Sequence, residues 1–525
     1  MIPLRLLRNL AAAVVCLLLP VSNMSAAVAD PGLVVATTAG AVQGVTVDGQ
    51  NQWRGVPYAA PPTGDRRWRP PAPAIPWAGT RDATSFAPPC PFLASQPEGA
   101  EDCLFVDISA PSTSGGARLP VMVHLHGGAN WYYTPYDNTS AFVSRGVIVV
   151  NVHYRLGALG FVGHPALSAE NGGSSGEYGV LDQLAALHWV HDNIAAFGGD
   201  PANVTLFGES AGSFDAVALA ASPLGRGLIS KLAAQTESFY AARGAGRIND
   251  AEQLGVGLAD RLGCSSAPDV IACLRAKPVQ DVVEAGGFED VAPWTGGRVL
   301  PRSPLELFAS DPLRIPLLLG SNREEAAFFL PPQAPGEKYS TNLWVRDTNG
   351  LVGPQNGRRA RSLYPSSDFD SAYWATIGLI TDAVYTCPMR RVALGGRGPV
   401  FRYLYTHRYE NDPQLASFRA AHFLDDPVLW HDGSLLGGYT FTPGEDLLAG
   451  RMATYWTDFA KTGDPNGPGV PTWPAYTAET ERSTVLDVAS GEVSGYHVAG
   501  CGFLDSLPDI FAPAPAYTPS RRGVR

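Results

Sequence analysis

The chain alternates between short, wholly apolar runs and longer segments in which apolar residues recur every three or four positions. Residues 119–125 (LPVMVHL) and 147–152 (VIVVNV) are apolar on both faces and rich in β-branched side chains. Such runs are typical of strands in a parallel sheet that is covered on both sides. Between residues 179 and 197, apolar side chains such as Leu184 and Leu187 follow helical spacing. We therefore expect buried strands connected by helices.

The same alternation continues along the chain. A strand is predicted over residues 204–207, a helix begins near Ser210, and further strands are predicted over 315–319 and 401–405. Residues 33–47 alternate around a glycine turn, which predicts an edge hairpin. Strands that alternate with helices indicate an α/β fold with a mostly parallel central sheet and helices on both faces.

No internal repeat interrupts this pattern, and no linker-like stretch appears between Asp30 and about residue 510. A length of 525 residues would allow two or three domains. The uninterrupted pattern instead predicts a single domain over residues 30–511. The last segment, 512–525, is rich in proline and arginine and predicts a flexible tail.

The first 29 residues have the pattern of an export signal. Arg5 and Arg8 precede a short apolar core, and 27–29 (AVA) is a small-residue cleavage motif. About 12 apolar residues are too few to span ~30 Å of hydrocarbon, which disfavours a membrane anchor. A lipoprotein signal is disfavoured because Val15 precedes Cys16 where a small residue is expected. We expect cleavage before Asp30 and a secreted or extracytoplasmic location.

Composition narrows the class of partner. The chain is 45% apolar and 17% charged, which is a globular composition. Its formal net charge is −11, and loss of the two arginines in the predicted signal would lower it to −13. An acidic chain without a basic tract is not expected to bind nucleic acid or anionic lipid.

Six cysteines follow the predicted signal. An even number in an exported chain predicts disulfides, although the residues alone leave 15 pairings open. No C-x-x-C motif or nearby histidine pair favours a zinc site. The six are Cys90, Cys103, Cys264, Cys273, Cys387 and Cys501.

Candidate chemistry begins with the segment 204–213 (VTLFGESAGS). It contains the pattern G-x-S-x-G between a predicted strand and a predicted helix, which is the context of a nucleophile elbow. Gly208 and Gly212 allow neighbouring elements to pack closely around the turn. Ser210 would then be exposed at the carboxyl edge of the sheet. The N–H of Ala211 lies at a helix start, where unpaired donors favour an anion.

A serine hydroxyl also needs a base, an orienting acid and further oxyanion donors. The segment 126–130 (HGGAN) follows a predicted strand, and its glycines would let the backbone approach a reacting carbonyl. An ordinary turn explains it equally well on its own, but the downstream serine motif favours an oxyanion loop. The predicted donors are the N–H groups of Gly128, Ala129 and Ala211.

With these motifs the chain resembles the type-B carboxylesterase family of α/β-hydrolases, which includes cholinesterases and fungal lipases. The resemblance covers nearly all of the predicted mature chain and implies the α/β-hydrolase fold. Its motifs are RGVPYAAPPTGDRRWRPP (54–71), EDCLFVDI (101–108), YRLGALGF (154–161), NIAAFGGDPANVTLFGESAG (193–212) and FAKTGDPN (459–466).

The resemblance implies the remaining catalytic residues. The family's acid lies in N-[KR]-[DE]-E-G, which matches 322–330 (NREEAAFFL) and assigns the acid to Glu325, with Glu324 as the alternative. The family's histidine segment matches 420–430 (AAHFLDDPVLW) and assigns His422, with His431 as a rival. The order serine, glutamate, histidine is the order expected for this fold.

Three departures from the family are notable. Phe423 replaces the glycine that follows the histidine, which changes the freedom of the backbone there. In 235–238 (QTES), relatives carry Q-S-G-S, so Thr236 keeps a hydroxyl near the acid while Glu237 replaces a glycine. Ala129 replaces the last glycine of the oxyanion loop, but donation by its N–H should survive.

The resemblance also implies disulfides Cys90–Cys103, Cys264–Cys273 and Cys387–Cys501. Only 12 residues separate Cys90 from Cys103. In relatives a longer loop carries a choline-binding tryptophan or a lid, so the short loop disfavours cholinesterase and interfacial lipase activity. Trp131 and the two tyrosines after it are candidates for a substrate pocket, or for core packing.

The resulting expectation is a secreted serine carboxylesterase that hydrolyses small-molecule carboxylic esters through an acyl-enzyme intermediate. No metal or organic cofactor is expected, and the oligomeric state is open. The alternatives are a cholinesterase-like binding protein without activity, and an amidase or acyltransferase that uses the same three side chains.

Overall fold

A computed structural model describes residues 29–112, 118–236, 246–287, 293–330 and 339–507. The predicted signal up to residue 28, Glu237 and the predicted tail lie outside the described residues. The strands are β1 (Ala29–Ala36), β2 (Ala41–Val47), β3 (Gln50–Pro57), β4 (Thr80–Asp82), β5 (Phe92–Leu93), β6 (Pro97–Glu98), β7 (Phe105–Pro111), β8 (Leu119–Leu125), β9 (Ile148–Val152), β10 (Gly199–Glu209), β11 (Lys231–Gln235), β12 (Leu317–Asn322), β13 (Val400–Tyr405), β14 (Arg482–Leu486) and β15 (Gly491–Ser494).

The helices alternate with these strands through most of the chain. They are α1 (Ser140–Val143), α2 (Gly157–Phe161), α3 (Pro165–Glu170), α4 (Tyr178–Asn193), α5 (Ala211–Ala221), α6 (Ile248–Arg261), α7 (Val270–Arg275), α8 (Val279–Gly286), α9 (Pro304–Ser310), α10 (Thr341–Val352), α11 (Gly357–Leu363), α12 (Ala372–Thr381), α13 (Cys387–Gly395), α14 (Pro413–Ser417), α15 (Asp426–Trp430), α16 (Pro443–Thr462) and α17 (Val498–Asp505).

One large sheet runs in the order β1-β2-β3-β7-β9-β8-β10-β11-β12-β13-β14-β15, and β4 pairs with β2. The pairs from β9 through β14 are parallel, whereas those at both ends of the sheet are antiparallel. The predicted mostly parallel sheet with an edge hairpin at its start is confirmed. The parallel pairing brings the carboxyl ends of β8, β10, β12 and β13 to one edge.

Apolar side chains cover both faces of this sheet. In β8, Val121 and Val123 belong to one buried cluster and Met122 to another, so the strand alternates between two cores. The second core contains Trp430 from α15 and Trp456 from α16, both buried. Burial on both faces explains why these strands are apolar throughout rather than alternating.

Some predicted boundaries differ from the structure. The strand predicted over 315–319 begins at Leu317 and continues through polar residues to Asn322, because these pair with β13. The strand predicted over 204–207 is β10, which starts at Gly199. The apolar pattern of a single segment does not predict such extensions, since their hydrogen bonds depend on a neighbouring strand.

The three disulfides implied by the resemblance are present: Cys90–Cys103, Cys264–Cys273 and Cys387–Cys501. The third joins α13 to α17 across a sequence separation of 114 residues. Within the described part of the chain, no helix is both long and apolar enough to cross a membrane.

Candidate active site

The strand-to-helix turn at Ser210 is tight and its backbone is unusual. Ser210 lies between β10 and α5 with φ of 54°, a value that is uncommon for a residue with a side chain. Its N–H donates to the carbonyl of Gln235, 3.1 Å away, at the end of β11. An ideal Cβ on Gly212 would lie 1.9 Å from the carbonyl oxygen of Leu125. Only glycine therefore allows α5 to pack this closely on β8.

His422 joins Ser210 to Glu325 through its two ring nitrogens. Nε2 lies 2.8 Å from the Ser210 Oγ, and Nδ1 lies 2.9 Å from the Glu325 Oε2. Both distances are within hydrogen-bond range. The three residues are separated by about a hundred positions each in the sequence, yet they form one chain of contacts at the carboxyl edge of the sheet.

Glu325 is wholly buried just after β12. Its Oε1 accepts a hydrogen bond from the N–H of Asn322 at 2.5 Å, which fixes the orientation of the carboxyl group. Burial raises the pKa of Glu325 well above its usual value, and nearby Asp425 adds to this. The Asn322 N–H and the Thr236 hydroxyl act in the opposite direction. Thr236 therefore lies close enough to Glu325 to influence its pKa.

His422 is buried among aromatic rings. The ring centroids of Phe329 and Tyr385 lie 5.1 and 5.4 Å from its own, and that of Phe328 lies at 6.0 Å. Burial lowers the pKa of His422 to about 4, although Asp425 opposes this. The imidazole is consequently neutral at pH 7, which is the state that can accept a proton from a serine hydroxyl.

A second carboxyl group approaches the same imidazole. Oε1 of Glu209 lies 3.4 Å from the Nε2 of His422, farther than the Ser210 Oγ. Burial raises the pKa of Glu209 well above its usual value, and the carboxyl groups of Asp426, Asp425 and Glu325 add to this. Glu209 is thus a second buried carboxyl group beside the imidazole, at a longer distance than the Ser210 hydroxyl.

The loop after β8 turns sharply beside Ser210. Gly128, Ala129 and Asn130 have φ values of 94°, 54° and 58°. The carbonyl of Gly128 accepts hydrogen bonds from the N–H groups of Trp131 and Tyr132. Among the described residues, no acceptor meets the N–H of Gly128, Ala129 or Ala211. Three unused backbone donors therefore come from the two segments that flank the serine.

The alternative candidates lie apart from this arrangement. The side chain of Glu324 contacts Arg323 and Arg419 instead of His422. The side chain of His431 is 47% exposed and pairs with Asp446. Both have local structural partners, whereas Glu325 and His422 contact each other.

Phe423 retains the backbone conformation that favours glycine. Its φ is 74°, in the left-handed region, and its carbonyl accepts from the N–H of Asp426 at 3.0 Å. A side chain at this φ adds local strain that a glycine would not have. Ala129 likewise keeps a positive φ in the place of a glycine.

Sequence reasoning missed the buried polar groups behind the histidine. Asp425 accepts from Asn322 Nδ2 at 2.9 Å and from the Tyr403 hydroxyl at 3.1 Å. Asp426 accepts from the Tyr136 hydroxyl at 2.5 Å. The asparagine that opens the acid motif was the available signal, but nothing in the sequence pairs it with Asp425.

Comparison with known proteins gives the family. A profile of the carboxylesterase family matches residues 31–499. The para-nitrobenzyl esterase of Bacillus subtilis is 33% identical over 488 residues, which cover 86% of this chain and 94% of that enzyme. The fumonisin B1 esterase of Sphingopyxis macrogoltabida is 34% identical over 502 residues, which cover 89% of each chain.

Solved structures agree with this result. A structure of a PNB esterase has a TM-score of 0.77 and 31% identity, and the match covers 90% of this chain and 99% of that one. Its likeness extends over the parallel sheet and the helices on both faces, so the fold is the α/β-hydrolase fold. The chain accordingly belongs to the carboxylesterase family and is a carboxylic-ester hydrolase.

Proposed function

We propose that the protein hydrolyses carboxylic esters through an acyl-enzyme on Ser210, with His422 as general base and Glu325 as the orienting acid. The observation that carries this proposal is the continuous contact from the Ser210 Oγ through both ring nitrogens of His422 to Glu325. This geometry supports the roles of nucleophile, base and group that orients the base.

In the first half-reaction, the Ser210 Oγ attacks the ester carbonyl while Nε2 of His422 takes its proton. The Nδ1–H of His422 donates to Glu325, which holds the required tautomer. As the imidazole becomes positive, its charge stabilises the ionised form of Glu325 beside it. The histidine then gives its proton to the departing alcohol, and the acyl group remains on Ser210.

The oxyanion of the tetrahedral intermediate is assigned to the N–H groups of Gly128, Ala129 and Ala211. They lie in two segments beside Ser210 and have no other acceptor among the described residues. Removal of one such donor typically costs ~10²–10³ in turnover. In the second half-reaction, water activated by His422 releases the acid, and the three donors stabilise a second oxyanion.

We also propose export from the cytoplasm and a single catalytic domain over residues 30–511. Three disulfides support an oxidising compartment. The parallel sheet that extends from β9 to β14 supports one domain. Small, soluble carboxylic esters are the proposed substrate class, in keeping with the para-nitrobenzyl esterase relative.

The test compares four proteins on p-nitrophenyl acetate and p-nitrophenyl butyrate: wild type, Ser210→Ala, His422→Ala and His431→Ala. We expect the first two variants to lose about 10⁴-fold or more in kcat. His431→Ala, which removes an exposed histidine, is the matched control and should stay near wild type.

A fluorophosphonate probe should label wild type at Ser210, as read by peptide mass spectrometry, and should not label Ser210→Ala. Full activity in Ser210→Ala would refute the proposed nucleophile. Hydrolysis of the matching p-nitroanilides at a rate comparable with the esters would favour the amidase alternative.

A further inference from the structure

Asn130 follows the proposed oxyanion loop directly and is wholly buried. Its Nδ2 donates to the Oδ1 of Asp215 at 3.2 Å, and its Oδ1 accepts from the hydroxyl of Tyr154 at 3.2 Å. Its backbone carbonyl accepts from the N–H of Gly157 at 2.7 Å. A polar side chain at a positive φ is thus held at both ends and at the backbone.

Asp215 lies on α5, the helix that begins immediately after Ser210. Besides the Asn130 amide, it accepts from the Nε2 of Gln183 on α4 at 2.5 Å, and it is wholly buried. Burial raises the pKa of Asp215 to about 7, although the hydrogen bonds from Gln183 and Asn130 act against this. Desolvation of a carboxyl group here disfavours folding, whereas apolar side chains could fill the same space without that cost.

The location of this pair suggests what it does. The three proposed oxyanion donors come from two segments, with Gly128 and Ala129 on the loop after β8 and Ala211 at the start of α5. Backbone pairing of β8 with β10 ends at Leu125 and Gly208, and Gly212 packs on the carbonyl of Leu125. Beyond these points the loop is held against α5 by side-chain contacts, among them the hydrogen bond from Asn130 to Asp215. Stabilisation of an oxyanion requires donors at 2.7–3.1 Å, with a tolerance of about 0.5 Å.

We propose that Asn130 and Asp215 are positioning residues, and that their hydrogen bond holds the oxyanion loop in register with the helix that carries the third donor. This inference rests on the proposed function. Neither residue touches the reacting atoms. On the other side of the loop, the single hydroxyl hydrogen of Tyr154 is shared between the Oδ1 of Asn130 and the nearer carbonyl of His126, 2.7 Å from the hydroxyl oxygen. The loop is therefore fixed between Tyr154 and Asp215, with Asn130 contacting both.

The experiment exchanges the two side chains. Asn130→Asp alone places two carboxyl groups about 3.2 Å apart, and Asp215→Ala alone leaves the Asn130 amide without its acceptor. In the double variant Asn130→Asp/Asp215→Asn, the new amide at 215 donates to the new carboxylate at 130. The remaining oxygens still accept from Tyr154 and Gln183, so every hydrogen bond is restored and only the one between residues 130 and 215 has its direction reversed.

Three quantities are measured in each protein: kcat and KM for p-nitrophenyl butyrate, and the Ki of an alkyl trifluoromethyl ketone. The ketone forms a hemiketal oxyanion on Ser210, whereas the corresponding secondary alcohol binds without one and serves as the control inhibitor. Fluorophosphonate titration gives the fraction of folded sites. We expect each single variant to lose about 10-fold in kcat at nearly constant KM, and the ketone to weaken by a similar factor.

The alcohol should bind all variants equally, and the double variant should recover most of the loss. Single variants whose kcat and ketone Ki stay within about twofold of wild type would overturn the proposal. A loss of kcat explained entirely by fewer titratable sites would also overturn it. If Asp215→Ala does not fold, the test is the comparison of kcat and ketone Ki between Asn130→Asp and the double variant. Retained activity in Ser210→Ala would instead refute the proposed function, whatever the Asp215 variants do.

Discussion

Gly212 is the residue at which one added methyl group should test the geometry of the site most directly. It lies in the first turn of α5, and its ideal Cβ would stand 1.9 Å from the carbonyl oxygen of Leu125 and 2.8 Å from that of His126. Both neighbours are backbone atoms, which cannot rotate away as a flexible side chain can. Gly212→Ala must therefore separate α5 from the end of β8.

The size of that movement follows from the contact distance. Real Cβ atoms essentially never approach another heavy atom closer than 3.0 Å, so the gap beside Gly212 must widen by about 1 Å. The loop that continues from Leu125 carries two of the proposed oxyanion donors, and Ser210 precedes α5. A misplacement of about 1 Å between reacting groups can cost ~10²-fold in rate. Overpacking of this kind typically costs about 1–3 kcal/mol of stability.

The assay is kcat/KM on p-nitrophenyl butyrate, corrected for the fraction of sites titrated by a fluorophosphonate, together with a thermal melt. The matched control is Gly502→Ala, also within a helix, where an added Cβ meets no atom within 4 Å. Alanine should stabilise that helix by up to about 1 kcal/mol without changing activity. Wild-type activity and stability in Gly212→Ala would refute the close packing on which the site is built.

Three further outcomes are expected. The kcat/KM of wild type should fall only as pH drops towards about 4, because burial lowers the pKa of His422 to about 4 and the protonated imidazole cannot act as a base; a midpoint near 6.5 would contradict this. Burial alone would lower the pKa of His407, but hydrogen bonds to Asp487 and Glu445 raise it. Its stabilising charge is fully present below about pH 6.5 and is lost as pH rises through the raised pKa, so melting temperatures of wild type and His407→Gln should converge at high pH. Cys387→Ser should lower the free energy of unfolding by roughly 5 kcal/mol in a denaturant titration, because the disulfide closes a long loop; an unchanged free energy of unfolding would contradict this.

The tertiary structure, and not the sequence, gives the backbone conformation of Phe423 and Ala129, two positions where relatives carry glycine. The sequence identifies Phe423 and Ala129 where relatives have glycine, but it does not say whether the turn changes. In the structure both residues keep a positive φ, since the surrounding hydrogen bonds determine the turn. Such strain is tolerated where neighbouring structure specifies the conformation strongly enough.

The site itself was predictable in part. The G-x-S-x-G motif between a strand and a helix is a local signal, so Ser210 could be selected from the residues alone. Glu325 and His422 came from the family resemblance, and they lie in contact with each other and with Ser210. The pairing of Asn130 with Asp215 had no signal, because a buried amide and a buried carboxyl look like loop and helix-surface residues in a sequence.

By itself, the sequence determined the alternation of strands and helices, the tight turn at Ser210 and, through its family, the cysteine pairing. These follow from apolar periodicity, from glycine and from motifs read within short windows. The tertiary structure alone decided the order of strands in the sheet, the extension of β12 to Asn322 and the buried hydrogen bonds around the site. These depend on which distant segments pack together, and hydrogen bonding between such segments leaves no periodic trace in either of them.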